Sequence, residues 1–114
     1  MGYTDQTTPW FQINSLGYGK MRTYDDYYSV HTVFEYDVRT QGLACTINYK
    51  LELQRYDGGW KTIETKNGSA RDNSWAGNKQ RGYVSFNNIG QYKKRMRVRI
   101  TAGGKVFHSG AWVR

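Results

Sequence analysis

A chain of 114 residues is long enough for one domain with its own core, and a domain of that size buries roughly two-thirds of its unfolded surface without help from a metal or disulfide. Seventeen Lys and Arg against nine Asp and Glu leave a net charge of +8, which selects for anionic partners: nucleic acid, acidic lipid or a polyanionic cell-wall polymer. Scarce Ala and Leu beside ten Tyr and 13 Gly argue against a helical bundle, the single Cys45 excludes an internal disulfide, and no apolar run approaches the ~20 residues of a membrane span.

The opening, MGYTDQTTPW, is polar and carries no leader. It reads as the start of a trimmed chain, with Met1 and Gly2 as additions, so secretion with the signal peptide already removed is the expectation. PWFQINSL predicts a first strand and GYGKMRTY a second. YSVHTVFEYDVR alternates: Val30, Thr32, Phe34, Tyr36 and Val38 share one face, while His31, Val33, Glu35, Asp37 and Arg39 meet water. After a turn-like TQG, CTINYKLELQRY alternates again. Cys45, Ile47, Tyr49, Leu51 and Leu53 point one way; Thr46, Asn48, Lys50, Glu52 and Gln54 point the other. YDGGW is a hairpin turn, since Asp-Gly and Gly-Gly accept positive φ, and WKTIETK returns from it to a turn at NGS. SARDNSWAGNKQRG, residues 69–82, has no clear period and predicts a long loop or a short edge strand. YVSFNNI sets Tyr83, Ser85 and Asn87 against Val84 and Phe86, and a last hairpin spans 92–102, a GGK turn, and VFHSGAWVR. No window shows a helical period. Seven or eight short strands at such spacing predict a single all-β domain over residues 1–114, an antiparallel two-sheet sandwich of immunoglobulin-like form.

Five of the seven residues from Lys93 to Arg99 are cationic, yet the run still alternates. A pleat places Lys94, Met96, Val98, Ile100 and Ala102 on the core side and Arg95, Arg97, Arg99 and Thr101 outside, with alternate side chains about 7 Å apart. Glu52 on the neighbouring strand is available to pair with one of these arginines, and the other neighbour offers Lys105 and His108 or Phe107, depending on register. Two readings of this face stay open. One is a solvated face whose Arg stems cover apolar surface. The other is an anion-binding face of Arg95, Arg97, Arg99, Lys50 and Lys105, because guanidinium suits flat, bidentate capture of phosphate or carboxylate. Arg71, Lys79, Arg81 and Arg114 add to its charge.

INYKLELQRYDGGWKTIE, followed some thirty residues later by RMRVRITAGGKVFHSG, resembles the fibronectin type III module. The resemblance implies an immunoglobulin-like sandwich that binds or spaces and has no active site. The chain departs from that pattern at Met96, which stands where the family's tyrosine corner would be, and at Phe34 and Tyr36, which stand near its buried tryptophan.

Trp60, Trp75, Trp112, Tyr56 and Tyr83 sit beside turns or in the long loop, where aromatic rings next to amides suit stacking on a sugar. At least two of the four Trp read as core plugs or edge covers. The segment Arg71, Asn73, Trp75, Asn78, Lys79 and Arg81 is the candidate ligand-binding loop. Cys45 lies on the apolar side of its strand and reads as a buried thiol rather than a nucleophile with His31 or His108. Two His are too few for a convincing metal site, and Asp25, Asp26, Glu35 and Asp37 lack a calcium-loop pattern; turn capping and solubility are their expected roles. GYGK at 17–20 lacks the spacing of a phosphate loop, and NGS at 67–69 matches a glycosylation sequon.

No catalytic constellation stands out, so no enzyme, no cofactor and no metal is expected. The Tyr-, Asn-, Gly- and Trp-rich basic composition resembles that of small exported proteins of Gram-positive bacteria. The expected function is a secreted, non-catalytic module that associates with an anionic surface or polymer: a cell-envelope glycan, a teichoic-acid-like polymer or acidic lipid. The alternatives are a secreted antibacterial or toxin-like effector acting on cell envelopes, a nucleic-acid binder, and a structural role in a phage or cell-surface assembly. Nucleic acid ranks lower because the aromatics are not interleaved with the cations along one strand face.

Overall fold

The computed structural model describes residues 4–39, 45–73 and 78–114. Eleven strands run in the order β1 (Thr4–Thr7), β2 (Phe11–Gln12), β3 (Gly17–Asp25), β4 (Val30–Val38), β5 (Cys45–Tyr56), β6 (Trp60–Asn73), β7 (Asn78–Gln80), β8 (Gly82–Phe86), β9 (Arg95–Ala102), β10 (Lys105–His108) and β11 (Trp112–Val113). They form two antiparallel sheets packed face to face. The first has the order β1-β3-β4-β8, with β2 beside β3; the second has the order β10-β9-β5-β6-β7, with β11 beside β9. The sheets are open, so the fold is a sandwich and not a barrel.

The alternation in the sequence sets which face is buried. In β4, Val30, Thr32, Phe34 and Tyr36 are buried and the intervening residues are half-exposed. In β9, Met96, Val98, Ile100 and Ala102 are each at most 2% exposed. Tyr49, Leu51 and Leu53 of β5 meet them from the neighbouring strand, and Cys45 and Ile47 lie half-buried against the same core. Met96 and Trp112 face each other across β9 and β11. Lys94 is a correction to the inward row. It precedes the strand, is exposed, and binds Asp57 at 2.6 Å.

The Asp-Gly-Gly turn joins β5 to β6 with Gly58 at φ 71°, and Gly103 and Gly104 turn β9 into β10 at φ 57° and 77°. The NGS turn, by contrast, does not exist. β6 runs straight through it, with Asn67, Gly68 and Ser69 opposite Lys50, Tyr49 and Asn48. Gly68 is there to clear an aromatic ring: a Cβ at that position would sit 2.5 Å from the Tyr49 ring. The same ring explains Gly82, where a Cβ would lie 2.0 Å from the Tyr49 hydroxyl.

Residues 69–82 are likewise not one long loop. They contain the end of β6, the short edge strand β7 and the start of β8, with 74–77 outside the described residues. The turn expected at 40–43 also lies outside them. The strand β1 at Thr4–Thr7 carries no alternation in apolar residues and was not expected from sequence.

One end of the sandwich is closed by a buried ion pair. The side chains of Asp25 and Arg114 are fully buried and bonded to each other. Asp25 also accepts from the Trp112 indole at 2.9 Å and from the Tyr27 backbone N–H at 2.9 Å. Arg114 donates to the carbonyls of Tyr27, Ile89 and Gly90 at 3.1, 3.1 and 3.2 Å. Arg114 is therefore a structural clamp and adds nothing to a surface anion site, and Asp25 is not a solubilising surface acid. Asp26 does cap a turn, accepting from the backbone N–H groups of Tyr28 and Ser29 at 3.0 and 2.7 Å.

Candidate anion-binding face

The outer face of the second sheet follows from register. Across β6, β5 and β9 the outward rows are Trp60, Tyr56 and Arg95; then Thr62, Gln54 and Arg97; then Thr65, Glu52 and Arg99; then Asn67, Lys50 and Thr101. On the far side of β9, His108 lies opposite Arg99 and Val106 opposite Thr101. Toward the other end β6 adds Ser69 and Arg71 beside Asn48 and Thr46. Among these described positions the cations are Arg95, Arg97, Arg99, Lys50 and Arg71, and Glu52 is the carboxylate.

A hydrogen-bonded chain fixes two of the arginines. Arg97 Nε donates to Gln54 Oε1 at 2.8 Å, and Gln54 Nε2 donates to the Thr62 hydroxyl at 3.2 Å. The Thr62 hydroxyl donates to Glu52 Oε2 at 2.8 Å, and Arg99 Nη1 donates to Glu52 Oε1 at 2.9 Å. Lys50 Nζ stands 3.8 Å from the same carboxylate. Gln54 is 6% exposed, so its amide is locked under the face rather than swinging above it.

The remaining orientation comes from aromatic rings. The Arg95 guanidinium lies 4.3 Å from the Tyr56 ring centre, and that of Arg97 lies 4.3 Å from the Trp60 ring centre. Tyr56 and Trp60 meet edge to face at 5.3 Å. Along β9 no aromatic stands between the arginines, as the alternation implies; the register across β5–β6 brings Tyr56 and Trp60 beside them from the neighbouring strands. A β-bulge between Leu53 and Gln54 leaves Ile63 without a partner and brings Trp60 opposite Tyr56. Arg95 and Arg97 form no ion pair among the described residues, and stacking on a ring does not use up the donors of a guanidinium.

The local field is positive, and its neighbours register it. Burial lowers the His108 pKa, and the charges of Arg97 and Arg99 lower it further, against a smaller opposing pull from Glu52. Burial by itself would raise the Glu52 carboxyl, but the Thr62 hydroxyl and the charges of Arg99 and Lys50 outweigh it and hold the pKa down. Burial and the charge of Arg99 lower the Arg97 pKa. An anion seated on the ladder should raise the His108 pKa from its depressed value. Polyanion affinity should therefore rise as pH falls through the range where bound His108 gains its proton. The His108 ring shift followed by NMR against pH, with and without polyphosphate, measures this; an unmoved midpoint would contradict it.

The other sequence candidates are distributed differently. Lys105 is exposed, but its partner is Ala102, so it stands at the hairpin end on the core side of the pleat and does not join the arginine row. The expected ligand-binding loop is divided between the sheets. Arg71 lies on this face and donates to the Thr46 hydroxyl at 3.1 Å. Asn73 and Asn78 are backbone register partners across β6 and β7. Lys79 and Arg81 turn to the first sheet, where they approach Glu35 at 3.3 and 3.5 Å. Trp75 lies outside the described residues. Trp112 is 7% exposed and is a core plug. Cys45 pairs in register with Asp72, away from both histidines: His31 bonds Ser85 and Asp26, and His108 faces Arg99. Among the described residues no group of three or more His, Cys, Asp or Glu is placed to hold a metal ion, and no helix is long and apolar enough to cross a membrane.

Set beside known proteins, the chain matches no family model, no curated protein and no solved structure.

Proposed function

We propose that this sandwich is a secreted, non-catalytic binding module for an anionic polymer of the cell envelope, and that the outer face of the second sheet makes the contact. The observation that carries the reading is the pair Arg95 and Arg97, oriented by Tyr56, Trp60 and Gln54 yet without a carboxylate partner among the described residues. A merely solvated face has no need of such orientation. A repeating polyanion gains from it, because guanidinium groups about 7 Å apart along a strand meet successive charges of an extended chain. The surrounding Thr65, Asn67 and Thr101 supply hydroxyls and an amide for a polyol backbone.

The immunoglobulin-like reading is supported by strand order. β3, β4 and β8 stand in the places of strands A, B and E, and β5, β9 and β10 in the places of C, F and G. Modules of that form bind or space rather than catalyse. Secretion rests on composition.

The test is co-sedimentation of the purified protein with poly(glycerol phosphate)-bearing cell walls, run beside leakage of anionic-lipid vesicles and binding to duplex DNA. Retention on the walls that is lost when the phosphate polymer is stripped supports the proposal. Vesicle leakage without wall retention would replace it with the membrane-active effector reading. DNA binding tighter than wall binding at the same salt would replace it with the nucleic-acid reading.

A further inference from the structure

The first sheet carries a second concavity, on the opposite face of the molecule from the arginine ladder. Thr7, Lys20, Arg22, Val33, Glu35, Arg81 and Tyr83 line a hollow of about 350 Å³. Its floor is a row across all four main strands of the sheet: Thr7 of β1, Arg22 of β3, Val33 of β4 and Tyr83 of β8. Lys20 and Glu35 form the next row, and Arg81 enters from the crossover between β7 and β8.

The charges around this hollow do not close. Glu35 is approached by Lys20 at 4.0 Å, Lys79 at 3.3 Å and Arg81 at 3.5 Å. Arg22 is occupied, held by Asp5 through two hydrogen bonds at 2.9 and 2.8 Å. Asp37 is shared by Arg39 and Lys79. Lys20, Arg22, Arg39, Lys79 and Arg81 thus face Asp5, Glu35 and Asp37, five charges against three. Arg81 is the least committed of them. Its side chain is 52% exposed, and it meets Glu35 through Nε at 3.5 Å.

The apolar part of the hollow is equally specific. Tyr83 is 71% exposed although it lies in a strand, opposite Val33. A ring left this bare beside a half-exposed guanidinium offers a stacking surface and a forked donor to one ligand. A bare inorganic anion would use the fork and leave the ring wet; a neutral sugar would use the ring and leave the charge unbalanced.

We propose that this hollow is a binding site for an acidic sugar residue, a hexuronate, whose carboxylate is held by Arg81 and Lys20 and whose apolar ring face lies on Tyr83. The site is separate from the arginine ladder and takes one sugar unit where the ladder takes a chain. Arg22, fixed by Asp5, and Thr7, with its hydroxyl, complete the floor beside Tyr83.

The experiment is ligand-observed saturation-transfer NMR on the full chain with glucuronate, glucose and inorganic phosphate, followed by titration of the protein's amide shifts. Glucuronate should saturate from the Tyr83 ring and shift residues of β3, β4 and β8. Glucose and phosphate should each bind at least tenfold more weakly. Arg81→Gln and Tyr83→Ala should each weaken glucuronate about tenfold with the thermal midpoint retained, whereas Arg95→Gln/Arg97→Gln/Arg99→Gln should leave it unchanged. Failure of the ladder alone would therefore leave this site standing, and the reverse. Equal binding of phosphate, no loss in Arg81→Gln and Tyr83→Ala, or no glucuronate binding at all would overturn the proposal.

Discussion

Val98→Asp should abolish folding. Val98 is fully buried at the centre of β9, opposite Leu53, with its backbone N–H bonded to the Ser109 hydroxyl and its carbonyl to the Ser109 N–H, both at 2.9 Å. A carboxylate placed there loses its water and gains no cation, since the pleat sends the neighbouring Arg97 and Arg99 to the other side of the sheet. The desolvation cost of an unpaired buried charge amounts to several kcal/mol, comparable with the whole ~5–15 kcal/mol that holds a domain together. Val98→Ala, which only removes methyl groups, should cost about 2 kcal/mol and leave a folded protein. Circular dichroism and thermal melts of the two variants separate burial of charge from loss of volume. A folded Val98→Asp with an unchanged melting point would place Val98 on the surface.

Asp25→Ala should be the next most damaging change, at about 3–5 kcal/mol, because it leaves the fully buried Arg114 guanidinium without its counter-charge. Three backbone carbonyls would still accept from Arg114, but none of them carries charge. The Trp112 indole N–H and the Tyr27 N–H would lose their acceptor in the same step. Replacing both partners, as Asp25→Leu with Arg114→Met, should recover part of the loss, since an apolar pair avoids the desolvation altogether. A denaturant-melt double-mutant cycle measures the coupling. Additive single effects would mean that the two side chains do not act as a pair.

These two sites differ in how visible they are in the sequence. The burial of Val98 is legible in RMRVRITA, because a period of two sorts residues with no knowledge of the partner strand. The same rule places Phe34, Tyr36, Leu51 and Leu53 inside, and the Gly-rich turns at 57–59 and 103–104 announce their hairpins. The clamp is not legible. Asp25 and Arg114 lie 89 residues apart, and a local reading sees one acid near a turn and one more surface cation. Gly68 shows the opposite failure. Its Asn-Gly-Ser setting imitates a turn, but the glycine answers to the Tyr49 ring on the adjacent strand, which no local pattern contains.

The candidate face divides in the same way. That Arg95, Arg97 and Arg99 point outward, and that Glu52 neutralises one of them, follows from alternation alone. That Trp60 and Tyr56 lie against Arg97 and Arg95 depends on the register across a bulge, which alternation does not report. Arg71, Lys79 and Arg81 share a run of sequence but not a surface, because the chain passes at Arg81 from β7 of the second sheet to β8 of the first. The hollow on the first sheet is not legible in the sequence for the same reason. Its residues come from β1, β3, β4, β8 and the β7–β8 crossover, and Glu35 sits in the middle of an unremarkable alternating strand.

The most direct measurement is salt elution from phosphocellulose of the parent protein beside Arg95→Gln/Arg97→Gln/Arg99→Gln, with circular dichroism to show that both are folded. If the outward arginine row binds anionic polymers, the triple variant elutes at clearly lower salt, because contacts that release counterions set the salt dependence. Elution of the folded triple variant at the parent's salt concentration would contradict it and leave the row as a solvated surface.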